Sequence, residues 1–210
     1  MPSYKIYSNV HLARGCHIGD YAVIGEPPRG KEPGELPTVI GENSIIRSHT
    51  VIYAGNRIGA RFQTGHGALI REDCEIGDDV SIGSHSEVLP HVWTGNGVRV
   101  QSQTIVGEYS RLEDECWVGP NVVVTNTMHP LCPKAKECMR GPTIGRGARI
   151  GAGVILLPDI TIGEMALIGA GAVVVSDVPP GAVMAGNPAR QVKHISELDC
   201  RYGLIEHPYT

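Results

Sequence analysis

The sequence predicts an all-β protein built as a solenoid, specifically a triangular parallel β-helix with eighteen residues per turn. The first observation is a period of six: from Ile40 to Val124, every sixth residue is aliphatic except Thr64 and Thr94, which keep the branched shape. The second is a glycine directly after many of these positions, such as Gly77. A period of six fits neither a helix nor a simple alternating strand, and it is typical of a hexapeptide solenoid.

Each six-residue unit is predicted to form one flat side and one corner, so that three units complete a turn. The branched residues then point inward and stack at about 4.8 Å from one turn to the next. Gly, Asn and Asp supply corner conformations that a Cβ would otherwise penalise. Strands eighteen residues apart should therefore form parallel sheets around an aliphatic core.

Composition favours one cytoplasmic domain without a nucleic-acid or membrane partner. The chain has 210 residues and a formal net charge of −4, which argues against an electrostatic role on nucleic acid or lipid. Its six cysteines are scattered rather than arranged as a disulfide framework. No signal-peptide pattern or long apolar run precedes the repeats.

The repeat predicts a β-helix over residues 1–190 and a C-terminal cap or tail over 191–210. Early rungs fall at Ile6, Leu12, Ile18 and Ile24. The phase then breaks at 26–38, a proline-rich excursion that is either a surface loop or a loop over the substrate site. A second excursion spans 126–142, and the repeat resumes from 144 to 174. One short helix is expected within 194–204, covering the open end.

Several stretches resemble the hexapeptide-repeat acyltransferases, which fold as left-handed parallel β-helices. The Gly-Ala-Gly stretches at 151–153 and 169–171, Val-Pro-Pro-Gly at 178–181 and Gly-Asn-Pro-Ala-Arg at 186–190 look like the C-terminal end of the acetyl-CoA-dependent members. The stretch 118–126 is similar to the subgroup that N-acylates nucleotide-linked amino sugars. The resemblance implies a left-handed coil, acetyl-CoA as acyl donor, a homotrimer with active sites between neighbours, and acetylation of a sugar amine by direct attack on the thioester.

Two columns of polar residues are candidates for the chemistry. His49 and His85 share a column because they are thirty-six residues apart, and His66 lies one residue off it. An amine must lose a proton to attack a thioester, and histidine or glutamate can accept it. The catalytic candidates are His66, His85 and Glu108. The substrate-binding candidates are Arg47, Arg71, Glu72 and Asn126.

The later turns and the second excursion carry the cofactor and metal candidates. Small residues leave room for a narrow arm, and basic residues match phosphates. The predicted coenzyme A contacts are Gly151, Ala152, Gly169, Ala170, Arg146, Arg149, Arg190 and Lys193. Imidazole and thiolates form a zinc-like ligand set at His129, Cys132 and Cys138, although the spacing is not that of a standard finger and a fourth ligand is missing.

Three other functions remain open. The nearest is O-acetylation of a sugar hydroxyl within the same superfamily. A second is a γ-type carbonic anhydrase, for which His49, His85 and His91 are candidates, although the six-residue gap between the last two places them at different corners. The third is a non-enzymatic assembly or binding module.

Overall fold

The computed structural model describes residues 3–209 and shows the predicted parallel β-helix, with about ten turns and essentially no α-helix. Each turn crosses three sheets, here named A, B and C. Strands eighteen residues apart pair in parallel, so that Leu69 of sheet A lies between Val51 and Glu87. The predicted length of eighteen residues per turn is therefore confirmed by the register of the strands.

Sheet A contains short strands from successive turns. They are β1 (Lys5–Ile6), β4 (Val23–Glu26), β7 (Val51–Tyr53), β10 (Leu69–Ile70), β13 (Glu87–Val88), β16 (Ile105–Val106), β19 (Val123–Val124), β22 (Ile155–Leu156) and β25 (Val173–Val174).

Sheet B forms the second side of the triangle. Its strands are β2 (Val10–Leu12), β5 (Thr38–Ile40), β8 (Arg57–Ile58), β11 (Glu75–Ile76), β14 (Trp93–Thr94), β17 (Arg111–Leu112), β20 (Thr143–Ile144) and β23 (Thr161–Ile162).

Sheet C forms the third side and includes the end of the solenoid. Its strands are β3 (His17–Ile18), β6 (Ile45–Ile46), β9 (Gln63–Thr64), β12 (Ser81–Ile82), β15 (Arg99–Val100), β18 (Trp117–Val118), β21 (Arg149–Ile150), β24 (Leu167–Ile168), β26 (Ala182–Ala185) and β27 (Arg190–His194).

The core is the ladder of inward residues that the six-residue period marks. Ile52, Ile70 and Ile82, among many others, are almost fully buried, and the only phenylalanine, Phe62, fills a corner. Burying one such side chain contributes roughly 1.5–3 kcal/mol. Because every turn adds the same kind of contact to its neighbours, stability accumulates along the coil rather than around one centre.

The three corners are named by the sheets that they join: the AB corner (for example 71–74), the BC corner (77–80) and the CA corner (83–86). The CA corner carries a column of residues with positive φ, which includes His49 (62°), Gly67 (63°) and His85 (56°). Left-handed backbone is enriched in Asn, Asp, His and Gly, and this explains why polar residues recur at the corners.

The BC corner is held by side chains that reach from one turn to the next. The N–H of Ala60 donates to Asp78 Oδ1 (2.7 Å), the N–H of Asp78 to Asn96 Oδ1 (2.8 Å) and the N–H of Asn96 to Asp114 Oδ1 (2.7 Å). Each oxygen satisfies a corner donor that the strand ladder leaves unpaired. This Asx ladder therefore links successive turns at the BC corner.

Both breaks in the repeat lie at the AB corner. The first runs between β4 and β5 and the second between β19 and β20, and both consist of turns and irregular backbone. The coil resumes in sheet B after each one, with Ile40 and Ile144 in the inward position. The excursions therefore leave the stacking of the turns intact.

The C-terminal end of the solenoid is covered by a hairpin. Strand β26 continues sheet C in parallel, and β27 returns antiparallel to it. Within the expected helical segment 194–204, only Ile195–Glu197 is helical, as a 3₁₀ turn capped by His194 and Glu197. Over residues 3–209, none of the helical structure is long and apolar enough to cross a bilayer.

The outward face of sheet A is apolar. From the second turn onward, seven of its eight outward residues are aliphatic, and the exception is Glu87. The seven are Val23, Val51, Leu69, Ile105, Val123, Ile155 and Val173. Ile105, Val123 and Ile155 are each more than a third exposed. The matching positions of sheet B include Arg57, Glu75 and Arg111, so this apolar character is specific to sheet A.

Candidate active site

The two predicted histidines lie on the CA corner, one turn apart. His66 Nδ1 is 2.8 Å from Ser48 Oγ in the turn below, and the N–H of His66 donates to Ser84 Oγ (3.0 Å) in the turn above. Both histidines are exposed. Because Ser48 holds Nδ1, the ring of His66 is oriented and its Nε2 is left available.

His85 lies directly over Gly67. A Cβ at Gly67 would come within 2.7 Å of His85 Nδ1, so glycine is required there for the ring to keep its position. The N–H of His85 donates to the carbonyl of His66 (3.0 Å), which ties the two residues into one column. The CA corner therefore presents two imidazoles in consecutive turns.

A concave pocket of about 400 Å³ lies on the AB corner. It contains two of the predicted acids, and its lining residues are Arg71, Glu72, Leu89, Pro90, Glu108, Tyr109, Lys136 and Met139. The last two belong to the second excursion, which folds back over the corner. The excursion thus forms part of the pocket wall.

Arg71 and Glu72 are paired with each other. The guanidinium donates from Nε to Glu72 Oε2 and from Nη2 to Glu72 Oε1, both at 2.8 Å, and it lies 4.8 Å from the centre of the Tyr53 ring. The pKa of Arg71 is raised, chiefly by this hydrogen bond to Glu72 and to a smaller degree by the charges of Tyr53 and Glu108. We expect this pair to shape the wall, because its charges are already compensated.

The histidines of the CA corner and the pocket of the AB corner occupy opposite edges of sheet A in the same turns. Leu69 follows His66 and precedes Glu72 along one turn, and Glu108 is two turns further up. The pocket thus spans the turns that carry His66 and His85. Sheet A separates the two corners within one chain, so the structure does not bring the histidines and Glu108 together in a single subunit.

The remaining substrate candidates lie outside this pocket. Arg47 is exposed beside a shallow groove on sheet C, together with Gln63 and Gln101. Asn126 begins the second excursion: its carbonyl accepts from the N–H of Arg140 (2.9 Å), and its Oδ1 accepts from Thr127 Oγ1 (3.3 Å). Asn126 therefore anchors the excursion.

The predicted coenzyme A residues form a smooth stretch higher on the CA corner. Ala152 and Ala170 are exposed in consecutive turns, and a Cβ added at Gly153 or Gly171 would meet nothing within 4 Å. The corner is therefore open at Ala152 and Ala170, whereas a Cβ at Gly151 or Gly169 would meet backbone atoms of the next turn within 3.1 Å. Ala152 is three turns above the His85 level, about 14 Å at the usual strand spacing.

The four basic candidates differ in their availability. Arg146 is paired with Glu164 at 2.7 Å, whereas Arg190 and Lys193 are exposed on β27. Arg149 Nη1 is buried without a hydrogen-bond partner, and its guanidinium lies 4.7 Å from the Tyr209 ring. One nitrogen of the Arg149 guanidinium is therefore left without a hydrogen bond.

The zinc prediction is not supported. His129, Cys132 and Cys138 are exposed on the second excursion, and their segment is a series of turns. Among residues 3–209, no three His, Cys, Asp or Glu side chains converge on a point that could hold a metal ion. Closeness in sequence does not make these side chains converge, because the intervening turns point them outward.

The histidines of the carbonic anhydrase hypothesis lie at two corners. His49 contacts Tyr21 on the CA corner (5.1 Å between ring centroids), whereas His91 stacks on Tyr109 on the AB corner (5.1 Å, 10°). The period of six places His85 and His91 one full side apart, as the spacing predicts.

Lys136, Met139 and Tyr109 are pocket residues that sequence reasoning missed. The two excursion residues carry no periodic signal, so their position depends on how the excursion folds. Tyr109 directly follows Glu108 at the AB corner, and this closeness to a catalytic candidate was the available signal.

Comparison with known proteins decides the family. The bacterial transferase hexapeptide profile (six repeats) matches residues 141–176. The galactoside O-acetyltransferase of Escherichia coli (strain K12) is 30% identical over 171 residues, which cover 75% of this chain and 82% of that protein. The chain belongs to the hexapeptide-repeat transferase family.

Other hexapeptide-repeat transferases share the fold at lower identity. The acyl-[acyl-carrier-protein]–UDP-N-acetylglucosamine O-acyltransferase of Campylobacter concisus is 22% identical over 138 residues, so the chain spans only 53% of that relative's length while 61% of the chain is matched. The structure of UDP-N-acetylglucosamine acyltransferase from Campylobacter jejuni aligns with a TM-score of 0.66 at 15% identity, covering 90% of this chain and 75% of that one. This likeness confirms the β-helical fold.

Proposed function

We propose that this protein is an acetyl-CoA-dependent N-acetyltransferase that acetylates the amine of a nucleotide-linked amino sugar as a cytoplasmic homotrimer. One observation carries the proposal: the two imidazoles and the acid-containing pocket occupy the same turns on opposite edges of one apolar sheet face. A ring of three subunits joins two different patches of neighbouring chains. Such a ring can place the CA corner of one subunit against the AB corner of the next.

The apolar face of sheet A supports this assembly. Ile105, Val123 and Ile155 form a contiguous exposed column between the two corners. Contiguous apolar surface of this kind marks interaction sites. Burial of the face between subunits would bring the two half-sites to the edges of the same contact.

The bound thioester supplies an activated acyl group, and the protein supplies the residues that bind donor and acceptor and accept the proton. The open CA corner at 151–153 and 169–171 holds the donor arm, with Arg149, Arg190 and Lys193 toward its anionic end. Glu108 of the neighbouring subunit holds the acceptor amine. His66, oriented by Ser48, accepts a proton from the acceptor nitrogen as the C–N bond forms and the C–S bond breaks, and the departing sulfur takes a proton in turn. His85 lies one turn above as a second proton acceptor.

The test is turnover of nucleotide-linked amino sugars with acetyl-CoA, followed by release of free thiol. We expect His66→Ala to lower kcat by about 10²–10⁴-fold, the usual range for loss of a general base. His11→Ala is the matched control, because His11 is exposed on sheet B, away from both corners. Absence of thiol release with every amino sugar, or equal activity of the two variants, would contradict the proposal.

Sugar O-acetylation is the second candidate, favoured by the match to the galactoside O-acetyltransferase over 82% of that protein. An alcohol is far less basic than an amine, so its attack depends more strongly on the base. We expect His66→Ala to abolish O-transfer but leave part of N-transfer. Assaying wild type and variant on a galactoside and on an amino sugar separates the two.

A further inference from the structure

Two of the four charged side chains of the AB pocket, one of each sign, make no hydrogen bond or ion pair within the described residues. Its four charged side chains are Arg71, Glu72, Glu108 and Lys136. Arg71 and Glu72 neutralise each other through two parallel hydrogen bonds, and their side chains are only 33% and 16% exposed. Neither is therefore free to balance a ligand without breaking a charge-assisted pair.

Glu108 and Lys136 are uncommitted. Within residues 3–209, neither side chain makes a hydrogen bond or an ion pair. Glu108 is half-buried at the corner, and Lys136 belongs to the excursion that forms part of the pocket wall. The nearby Lys134 differs, because it does not line the pocket and its Nζ lies 3.6 Å from Glu137 Oε2.

The other pocket residues are mostly apolar. Leu89, Pro90, Tyr109 and Met139 line the same pocket as the two charges. A ligand in this pocket can therefore meet both a carboxylate and an ammonium. An acceptor amine complements Glu108, and only an anionic group on the same molecule complements Lys136.

We infer that this pocket selects acceptors that carry both an ammonium and an anionic group, with Lys136 as the residue that reads the anion. This inference rests on the proposed acyl transfer and adds the substrate class and a specificity residue outside the repeat. A phosphate on an amino sugar and the carboxylate of an amino acid provide the same pair of charges. An amino sugar without an anionic group engages Glu108 alone.

Direct binding without any acyl donor tests the inference independently of turnover. The probes are glucosamine 1-phosphate and L-serine as ammonium–anion compounds, each compared by calorimetry with a counterpart that keeps the ammonium and lacks the anion, glucosamine or ethanolamine. We expect at least one pair to show tighter binding of the member that carries the anion, and Lys136→Ala to weaken that member about tenfold, as for loss of one charged hydrogen bond. Binding of the counterpart without the anion should not change.

Lys134→Ala is the matched control and should leave both affinities as in wild type. Which pair shows the effect distinguishes the phosphate source from the carboxylate source. The inference is overturned if neither anionic probe binds more tightly than its counterpart, or if Lys136→Ala and Lys134→Ala behave alike. Binding with this pattern but no acetyl transfer would overturn the proposed function and leave the charge selectivity standing.

Discussion

Cys74 and Cys116 occupy core positions at the corners, where each thiol takes the place of a small apolar side chain. Burial raises the pKa of each thiol to about 12. Cys132 and Cys138, by contrast, are exposed on the second excursion. The same residue type therefore serves two unrelated environments in this chain.

Thiol labelling should separate these environments. The pKa of Cys200 is lowered by backbone N–H groups, chiefly that of Leu204. Since the thiolate is the reactive form, we expect iodoacetamide at pH 8 to modify Cys200 in the native protein and to leave Cys74 and Cys116 untouched. Mass spectrometry of peptides checks this, with urea-unfolded protein as the control in which all cysteines react. Labelling of Cys74 in the folded protein would contradict the structure.

The buried thiols also predict alkaline destabilisation. Their pKa is raised from an ordinary value near 9 to about 12, so between these values the unfolded chain loses protons that the native chain keeps. Stability is therefore fully present below pH 9 and declines as pH rises toward 12. The urea concentration at the midpoint of unfolding should decrease as the pH rises from 8.5 to 10.5. The decrease should be less steep in a Cys74→Ala, Cys116→Ala double variant. An equal slope in both proteins would show that other groups are responsible.

Glycine has two distinct roles in this fold, of which Gly77 and Gly153 are examples. A Cβ at Gly77 would lie 2.4 Å from the carbonyl oxygen of Gly95, whereas one at Gly153 meets nothing within 4 Å. We expect Gly77→Ala to destabilise by about 3 kcal/mol or more and Gly153→Ala, at φ +66°, by about 1–2 kcal/mol. Denaturant unfolding of both variants checks this, and the reverse order would contradict the packing described.

Sequence reasoning predicted residue positions well where they follow the period. His49 and His85 could be placed in one column because spacing alone fixes the turn and corner. The sequence could not show that Arg71 is paired with Glu72, because the directions of adjacent side chains at a corner depend on the conformation of the turn. The zinc prediction is not supported, because the turns between His129, Cys132 and Cys138 do not bring three ligands together within the described residues.

At the scale of the element, the corners contribute as much to the architecture as the strands. Most strands are only two residues long, so each forms few ladder hydrogen bonds of its own. The Asx ladder of Asp78, Asn96 and Asp114 supplies additional bonds between turns at the BC corner. The recurring Asp and Asn of the sequence are explained by this contact.

Removing one rung of the Asx ladder should measure its contribution. Asn96→Ala leaves the N–H of Asp78 without its partner, and we expect a loss of about 1 kcal/mol in the free energy of unfolding. Glu75→Ala, an exposed change on sheet B, should have an effect within about 0.5 kcal/mol. Equal stabilities of the two variants would show that water replaces the side-chain bond.

The short helix expected over 194–204 marks the limit of element prediction. Once the period of six ends, local propensity is the remaining guide, and tertiary pairing overrides it. Here β27 pairs with β26 through His194, and helical structure is confined to Ile195–Glu197. The same loss of periodicity explains why the fold of the second excursion over the pocket could not be foreseen.

At the scale of the whole molecule, the apolar face of sheet A is the proposed contact between subunits. We expect Ile105→Asp to convert the proposed trimer to monomer, because burial of an unpaired carboxylate in a subunit contact is strongly unfavourable. Light scattering after size exclusion measures this. Val39→Asp is the control: Val39 is 40% exposed and Ile105 39%, but Val39 lies on sheet B. A monomeric wild type, or dissociation by both variants, would contradict the assignment of this face.

Both excursions emerge from one edge of the prism, and the coil returns to register after each. Ten extra residues separate Ile24 from Ile40 and fourteen separate Val124 from Ile144, relative to the ordinary six, yet the next rung stacks normally in sheet B. The number of residues inserted at this edge thus does not affect how the turns of the β-helix stack. Exchanging or shortening the segment that carries Lys136 would then change the preference for acceptors without altering the β-helix. This edge is therefore suited to the engineering of a new specificity.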